Sequence, residues 1–341
     1  MKKKIVIIGA GFAGLSVLLG LLKKRKLFDI TLIDKDDYFE YTPSLHLCID
    51  NPNYIKKIKL NLTKYYKEFF IQDLVKEIKN SKIIGEKNTY NFDYLVIATG
   101  SSTNYYKNLE FKKYTLPFKR LNDIKKINSK LKKNQKITII GGGYTGIEIT
   151  GILAQKQKYN ITLIHAGNDL LNNKLTGKKI ENYLKKQNVS IIKGTYVKSC
   201  DKNSVKLSDG KKIDTNLIIM SAGIIPNEIT DNVLCDDLCL EKNKNIYLCG
   251  DVARSGNIST AHNAMIEGRV VAKNIIARME NKKSSVINKR DWKILAIALG
   301  KNNGYITFGE KSIYVPFTGL LKEIIEKRVL FEFKHRIRLP I

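Results

Sequence analysis

The chain has 341 residues, 43% hydrophobic and 27% charged, which is enough to bury the cores of two domains and a small third and excludes an intrinsically disordered protein. Its 60 Lys and Arg against 32 Asp and Glu give a formal net charge of +28. A lysine-decorated solvated exterior is the first reading of that charge, an anionic lipid surface the second, and nucleic acid the third.

MKKK followed by a long apolar run has the outline of a signal peptide or a membrane span. We read it as neither. Residues 4–8 form a strand, GAGFAG follows at 9–14, and a helix runs over 12–24 into Lys23-Lys24-Arg25-Lys26 with no small-residue cleavage site. A parallel strand and its covering helix are both apolar for packing reasons. Gly9, Gly11 and Gly14 have the GxGxxG spacing of a dinucleotide-binding turn: one glycine for the turn, one for approach of a pyrophosphate, one for close helix packing. About 20 residues on, ITLID ends at Asp34, where a carboxylate can accept ribose hydroxyls. Pro43 then opens a loop-helix excursion. Tyr54–Phe70 is rich in Lys and Tyr, and its apolar spacing predicts an amphipathic helix rather than a basic-aromatic nucleic-acid patch.

Residues 68–79, 81–84 and 89–92 read as short strands or a hairpin. Asp93 to Gly100 is a buried strand ending in Ala98-Thr99-Gly100, small enough for close approach of a ligand. Residues 101–118 read as a crossing between domains, and an amphipathic helix follows at about 120–133. The strand-turn-helix then repeats: ITIIGGGYTGIE at 137–148 carries Gly141, Gly143 and Gly146, and ITLIH ends at His165. The chain thus duplicates one βαβ nucleotide-binding unit, which suggests an electron relay between two dinucleotides. Leu175–Asn188 reads as helix, 189–214 as strands with a Ser208-Asp209-Gly210 turn, and Leu217–Gly223 as another buried strand ending in Ala-Gly.

Residues 246–251 put Gly250 and Asp251 at a sheet's carboxyl edge, and 260–280 form a long helix with Ala261, Ala264 and Gly268 on one side. The tail, 286–341, mixes strands with a helix at about 318–328 that carries Leu320, Leu321, Ile324 and Ile325 on one face. With Lys334–Arg338 behind it, this helix suits an anionic membrane surface, and packing on the body or in a dimer interface, equally well. The cysteines, Cys48, Cys200, Cys235, Cys239 and Cys249, form no CxxC pair and no set at zinc spacing, so no metal site is expected.

Taken together these motifs resemble the FAD-dependent pyridine nucleotide oxidoreductases with two dinucleotide-binding domains, within them most of all the type II NADH:quinone oxidoreductases and apoptosis-inducing-factor-like quinone reductases. GAGFAG (9–14), Asp34, FEYTPSL (39–45), YLVIATGS (94–101), GGGYTGIE (141–148), SAGIIPN (221–227), YLCGD (247–251), TAHNAMIEG (260–268) and LGKNNGYITFG (299–309) carry the likeness. It implies an α/β fold of two Rossmann-like domains, the NAD domain inserted in the FAD domain, plus a small C-terminal α+β region. The segments are 1–115 and 231–283 for FAD, 116–230 for NAD(P)H, and 284–341 for the C-terminal part. Gly9, Gly11, Ala13, Gly14, Asp34 and Lys35 would hold the ADP part of FAD, with Val75 near the adenine. Pro43, Thr99, Gly100, Gly250 and Asp251 would line the flavin, with Ala261 opening the helix beside it. Gly141, Gly143, Gly146, His165 and Gly223 would receive NAD(P)H. Glu148 would sit near the nicotinamide, and His262 would tune the acceptor side as a proton-exchanging group. A quinone or other small electron acceptor is the implied partner, and the implied place is the cytoplasm, peripheral on the inner face of the membrane. Two departures stand out. His165 replaces the acid that discriminates against NADPH, and His262 and Ile266 stand where bacterial type II enzymes carry Gln. The rival readings are a sulfide:quinone or single-cysteine thiol/disulfide reductase using Cys48, and a redox-sensing or nucleic-acid-binding flavoprotein.

Overall fold

The computed structural model describes residues 1–79, 82–227, 229, 241–243, 245–253, 259–284 and 294–337. Cys235, Cys239, residues 286–293 and the last four residues of the tail lie outside the described residues.

Two sheets built on parallel strands organise the chain. The first runs in the order Glu241–Asn243, Ile246–Leu248, Tyr94–Ile97, Lys3–Ile8, Phe28–Asp34, Phe70–Gln72; all pairings are parallel except that of the outermost strand, Glu241–Asn243. The second runs Leu116–Pro117, Leu217–Met220, Gln135–Ile140, Tyr159–His165, Ser190–Lys193, parallel throughout. In each the glycine-loop strand is central and is apolar because both faces are covered: Ile5, Ile7 and Ile139 are fully buried. A third, antiparallel sheet, Ile294–Ala298, Gly304–Phe308 and Lys311–Tyr314, precedes the last helix. The expected α/β architecture of two Rossmann-like units is therefore the observed one.

Helix Phe12–Leu22 packs on helix Ala261–Met279 at backbone distance, because small residues face each other. A Cβ at Gly268 would sit 2.3 Å from the Ala13 carbonyl oxygen, and one at Gly20 would sit 2.4 Å from the Ala272 Cβ. The expected hairpin is present as Val75–Lys79, Lys82–Gly85 and Thr89–Asn91. The buried Asp73 side chain ties it, accepting from the backbone N–H of Glu86 and of Lys87 at 3.0 Å each and from the Tyr90 hydroxyl at 2.7 Å.

Two expectations are corrected. Tyr54–Phe70 is not one amphipathic helix. A 3-10 stretch Pro52–Lys56, a strand Lys59–Asn61 and a single turn Leu62–Tyr65 replace it. The Asn51 and Asn61 side chains each accept a nearby backbone N–H and restart the chain. Tyr38–Glu40 takes Lys59–Asn61 as an antiparallel partner, and the pairing buries Leu60. The last helix does not end at 328 but runs Thr318–His335. No glycine or proline stops it, and Phe333 near its end is fully buried, packed edge-on against Phe39 with ring centres 5.2 Å apart.

That helix is held by polar groups. Its inward side carries Glu326 and Glu332, while Leu320, Ile324 and Ile325 are exposed. Glu332 accepts from Arg269 of the long helix at 2.9 Å, both side chains being almost completely buried. We expect Glu332→Ala to leave the buried guanidinium without its carboxylate and to lower stability by about 3–5 kcal/mol. Leu320→Ala, on the exposed side, should change it by less than about 0.5 kcal/mol. Urea unfolding followed by circular dichroism checks both.

Two glycine cradles and the polar node between them

The two glycine loops have the same local geometry. Gly9 and Gly141 adopt φ of 103° and 113°, open only to glycine without strain. A Cβ at Gly9 would lie 2.2 Å from the Ala98 carbonyl oxygen, and one at Gly141 would lie 2.6 Å from that of Ser221. At Gly14 and Gly146 a Cβ would lie 1.8 Å from the carbonyl oxygen of Gly9 and Gly141 respectively. The middle glycines differ from these four: around Gly11 and Gly143 nothing comes within 4 Å of an added Cβ. Outer glycines packed on protein and a middle glycine facing open space, at a helix N-terminus, suit a pyrophosphate. The residues present fit a dinucleotide in each loop.

The strand that follows each loop ends in a side chain that grips it. Asp34 Oδ2 accepts from the Ala10 N–H at 2.6 Å and Oδ1 from that of Asp36 at 3.0 Å. Burial, against these hydrogen bonds, pushes the Asp34 carboxyl above the usual carboxylate range. In the second copy the Gly142 N–H donates to His165 Nδ1 at 3.2 Å, and Nε2 meets the Asp169 carbonyl at 3.0 Å. With Nδ1 accepting, the ring proton of neutral His165 sits on Nε2. Lys35 is exposed, and Val75 is buried at the start of the hairpin. Ala13 is buried in the helix contact described above.

At the first sheet's carboxyl edge, Thr99 and Gly100 follow Ala98, and Gly100 has φ 68° with open space where a side chain would stand. Gly250 (φ 76°) donates its N–H to Glu267 Oε2 at 2.6 Å. Next to it Asp251 accepts from the Ser101 hydroxyl and, at 3.2 Å, from Lys119 Nζ. Lys119 also donates to Ser101 Oγ at 2.8 Å. Arg120, the next residue, pairs with Asp36. Pro43 lies in a 3-10 turn, Thr42–Ser44. Ala261 and the exposed His262 open the long helix, which Thr260 caps by accepting from the Asn263 N–H at 3.1 Å. Gly223 ends a strand of the second sheet with φ 95°.

Glu148 is drawn into a node contributed by three parts of the chain. Its Oε1 accepts from the Ala298 N–H at 3.0 Å and from Lys322 of the last helix. Its Oε2 lies 3.6 Å from His46 Nδ1. His46 is buried, its Nε2 has no partner among the described residues, and burial lowers its pKa to about 4. Sequence reasoning missed His46, Lys119 and Lys322. Lys322 had a signal, as the lone cation within the apolar stripe Leu320, Leu321, Ile324, Ile325; Lys119 and His46 had none. Cys48 is fully buried and its thiol is pushed up to about 12 by burial and by the Glu326 and Glu40 carboxylates. Among the described residues no three His, Cys, Asp or Glu side chains come together as a metal site.

Known proteins with this arrangement are extensive. The model of the pyridine nucleotide-disulphide oxidoreductase family matches residues 3–268. Apoptosis-inducing factor homolog A of Dictyostelium discoideum is 28% identical over 89% of this chain and 84% of its own length. A type II NADH:quinone oxidoreductase of Staphylococcus haemolyticus is 24% identical over 97% of this chain and 96% of its own. Among solved structures, NDH2 of Plasmodium falciparum in complex with NADH superposes with a TM-score of 0.84 at 18% identity, covering 98% of this chain and 96% of that one. The sulfide:quinone oxidoreductase of Aquifex aeolicus does so with the same score and identity, covering 99% and 93%. The duplicated cradle and the family match agree: this chain belongs to the pyridine nucleotide-disulphide oxidoreductase family.

Proposed function

We propose that the protein is an FAD-dependent NAD(P)H oxidoreductase, with FAD in the first cradle, NAD(P)H in the second and a quinone-like small molecule as acceptor. The observation that carries this reading is the pair of cradles, each with an open middle glycine, on two parallel sheets of one chain. Bound there, FAD supplies a two-electron carrier between a nicotinamide and the acceptor. The chain's residues supply binding and orientation. Gly9, Gly11 and Gly14 admit the pyrophosphate, Asp34 takes the ribose, and Asp251, braced by Ser101 and Lys119, faces the sugar chain of the flavin. Gly141, Gly143, Gly146 and Gly223 admit the nicotinamide dinucleotide. The Glu148–Lys322 pair gives that region a carboxylate with its counter-charge, and His262 stands on the acceptor side.

The thiol-based alternatives lose support from Cys48, a buried thiol held protonated at neutral pH. Peripheral attachment to an anionic membrane gains support from the last helix, where Leu320, Ile324, Ile325 and Phe331 are exposed beside Lys327 and Lys334. Among the described residues no helix is long and apolar enough to cross a membrane.

Three outcomes are expected. The purified protein carries FAD, NADH bleaches it in a stopped-flow experiment, and a quinone restores it; Asp34→Ala loses flavin on gel filtration, and unchanged flavin content would remove Asp34 from the site. NADPH serves within about tenfold of NADH, a difference of about 1.4 kcal/mol, because His165 puts no carboxylate at the ribose end. His165→Glu should then favour NADH, seen as a shift in the ratio of kcat/KM values. Finally, the protein floats with anionic liposomes, and Ile324→Glu with Ile325→Glu abolishes flotation while leaving NADH oxidation by a soluble quinone intact; equal flotation would exclude this helix as the contact.

A further inference from the structure

The chain passes between the two large sheets twice, and the two passages pair with each other. Ser101–Thr103 runs antiparallel to Ile224–Pro226, with Ser101 opposite Pro226, Ser102 opposite Ile225 and Thr103 opposite Ile224. One end of this ladder continues the Thr99-Gly100 turn at the carboxyl edge of the first sheet. The other continues Ala222-Gly223 at the carboxyl edge of the second. At roughly 3.4 Å per residue the ladder spans about 10 Å.

Both ends are pinned. At the first-sheet end the Asn227 N–H donates to the Gly100 carbonyl at 2.9 Å, and its side-chain amide donates to the Thr99 carbonyl at 2.9 Å. The Asn227 carbonyl accepts from the Thr99 hydroxyl at 2.6 Å, and Oδ1 accepts from the Ser102 hydroxyl. Backbone and side chain of one residue are thus both bound to residues 99–102. At the other end the Asn104 N–H donates to the Gly223 carbonyl at 3.1 Å, and the Tyr106 hydroxyl donates to that of Ala222 at 2.6 Å. Tyr106 holds a left-handed backbone, φ 52°, and its side chain is 59% exposed. Neither property is favourable for a tyrosine. What the arrangement secures is the hydroxyl on the strand end.

We infer that this ladder is a spacer that fixes the reach between the two bound dinucleotides, with Asn227 and Tyr106 as positioning residues at its ends. The inference rests on the function proposed above. Transfer between two bound groups requires reacting atoms about 3–3.5 Å apart, and a misplacement of about 1 Å can lower the rate on the order of 100-fold. The two sheets each carry one dinucleotide, so their separation sets that distance. The Glu148–His46 contact and the Arg120–Asp36 pair also tie the two units, but neither involves the sheet-edge turns 99–100 and 222–223. A hydrogen-bonded ladder pinned at each sheet edge holds that separation, acting through Thr99-Gly100 on one side and Ala222-Gly223 on the other.

The test uses flavin-loaded full-length protein, wild type, Asn227→Ala and Tyr106→Phe, mixed anaerobically with NADH. Three quantities are read per bound flavin: the limiting rate of flavin bleaching, the NADH concentration at half-saturation, and the long-wavelength absorbance of nicotinamide stacked on flavin. We expect the limiting rate to fall about 10- to 100-fold in Asn227→Ala and several-fold in Tyr106→Phe, with half-saturation changed by less than about twofold. The long-wavelength band should weaken in both. Without nucleotide, the Asn104 backbone amide should exchange deuterium faster in Tyr106→Phe, and the backbone amide of position 227 faster in Asn227→Ala. If Asn227→Ala does not fold, Tyr106→Phe, which removes one hydroxyl from an exposed ring, decides alone. Wild-type rate, band and half-saturation in Tyr106→Phe overturn the spacer. So does a change in half-saturation alone, which would make these residues ordinary binding contacts. If NADH fails to bleach the wild-type flavin, the proposed function falls, and the spacer with it.

Discussion

The constraint on which the structure depends is a backbone contact that forbids a side chain. At Gly14 and again at Gly146 the first turn of a helix lies on the carbonyl of the turn glycine, Gly9 or Gly141, so closely that a Cβ would overlap it at 1.8 Å. That approach points the helix N-terminus along the end of its strand and leaves the middle glycine facing open space. Everything downstream follows from where these loops stand. Asp34 and His165 grip the loop from the next strand, and Ala98 and Ser221 lean on it from the strand on the other side. A larger residue at any of these four outer positions would push the helix off the sheet before it touched a ligand, so their primary role is in the fold. Gly11 and Gly143, with open space where a side chain would stand, carry no such packing role.

The parts legible in the sequence are those with a local physical cause. Strand, glycine turn and helix are dictated by sterics within a dozen neighbouring residues, so both cradles and the duplication could be read directly. The short strands of the hairpin could be read as well, but not Asp73, whose carboxylate reaches across to Glu86, Lys87 and Tyr90. What could not be read depends on pairing between distant segments. The apolar spacing in Tyr54–Phe70 is compatible with a helix; only the presence of Tyr38–Glu40 as a strand partner decides against it. Glu148 could be singled out from its motif. That its carboxylate is closed off by Lys322, Ala298 and His46 required the C-terminal part to fold back across it.

The last helix shows how a polarity pattern can point in the unexpected direction. In a helix packed on a core, apolar residues turn inward. Here Glu326 and Glu332 are inside, and Leu320, Ile324 and Ile325 are outside. The buried carboxylates are not left alone. Glu332 meets Arg269, and Glu326 accepts from the Tyr54 hydroxyl at 3.2 and 3.1 Å while burial pushes its carboxyl up. With these contacts and buried Val329 and Phe333 docking the helix, Leu320, Ile324 and Ile325 take no part in the core. The helix therefore joins the body through directional contacts together with buried Val329 and Phe333, and keeps a second apolar surface on its outer side.

The comparison between Asp34 and His165 carries the division of labour between the two cradles. Both side chains accept the N–H of the residue between the first two loop glycines, from Ala10 at 2.6 Å and from Gly142 at 3.2 Å. Structurally they are interchangeable at this task, so the substitution leaves the loop intact. Electrostatically they are not. The carboxylate accepts on both oxygens, Oδ1 from the Asp36 N–H at 3.0 Å, and an acidic group there disfavours a phosphate beside it. The imidazole has both nitrogens engaged, the second by the Asp169 carbonyl at 3.0 Å. The first loop is thus closed by an acidic side chain and the second by an imidazole. In the function proposed above the first loop would hold the retained dinucleotide and the second the exchanged one, and the two side chains supply that asymmetry between two copies of the same fold.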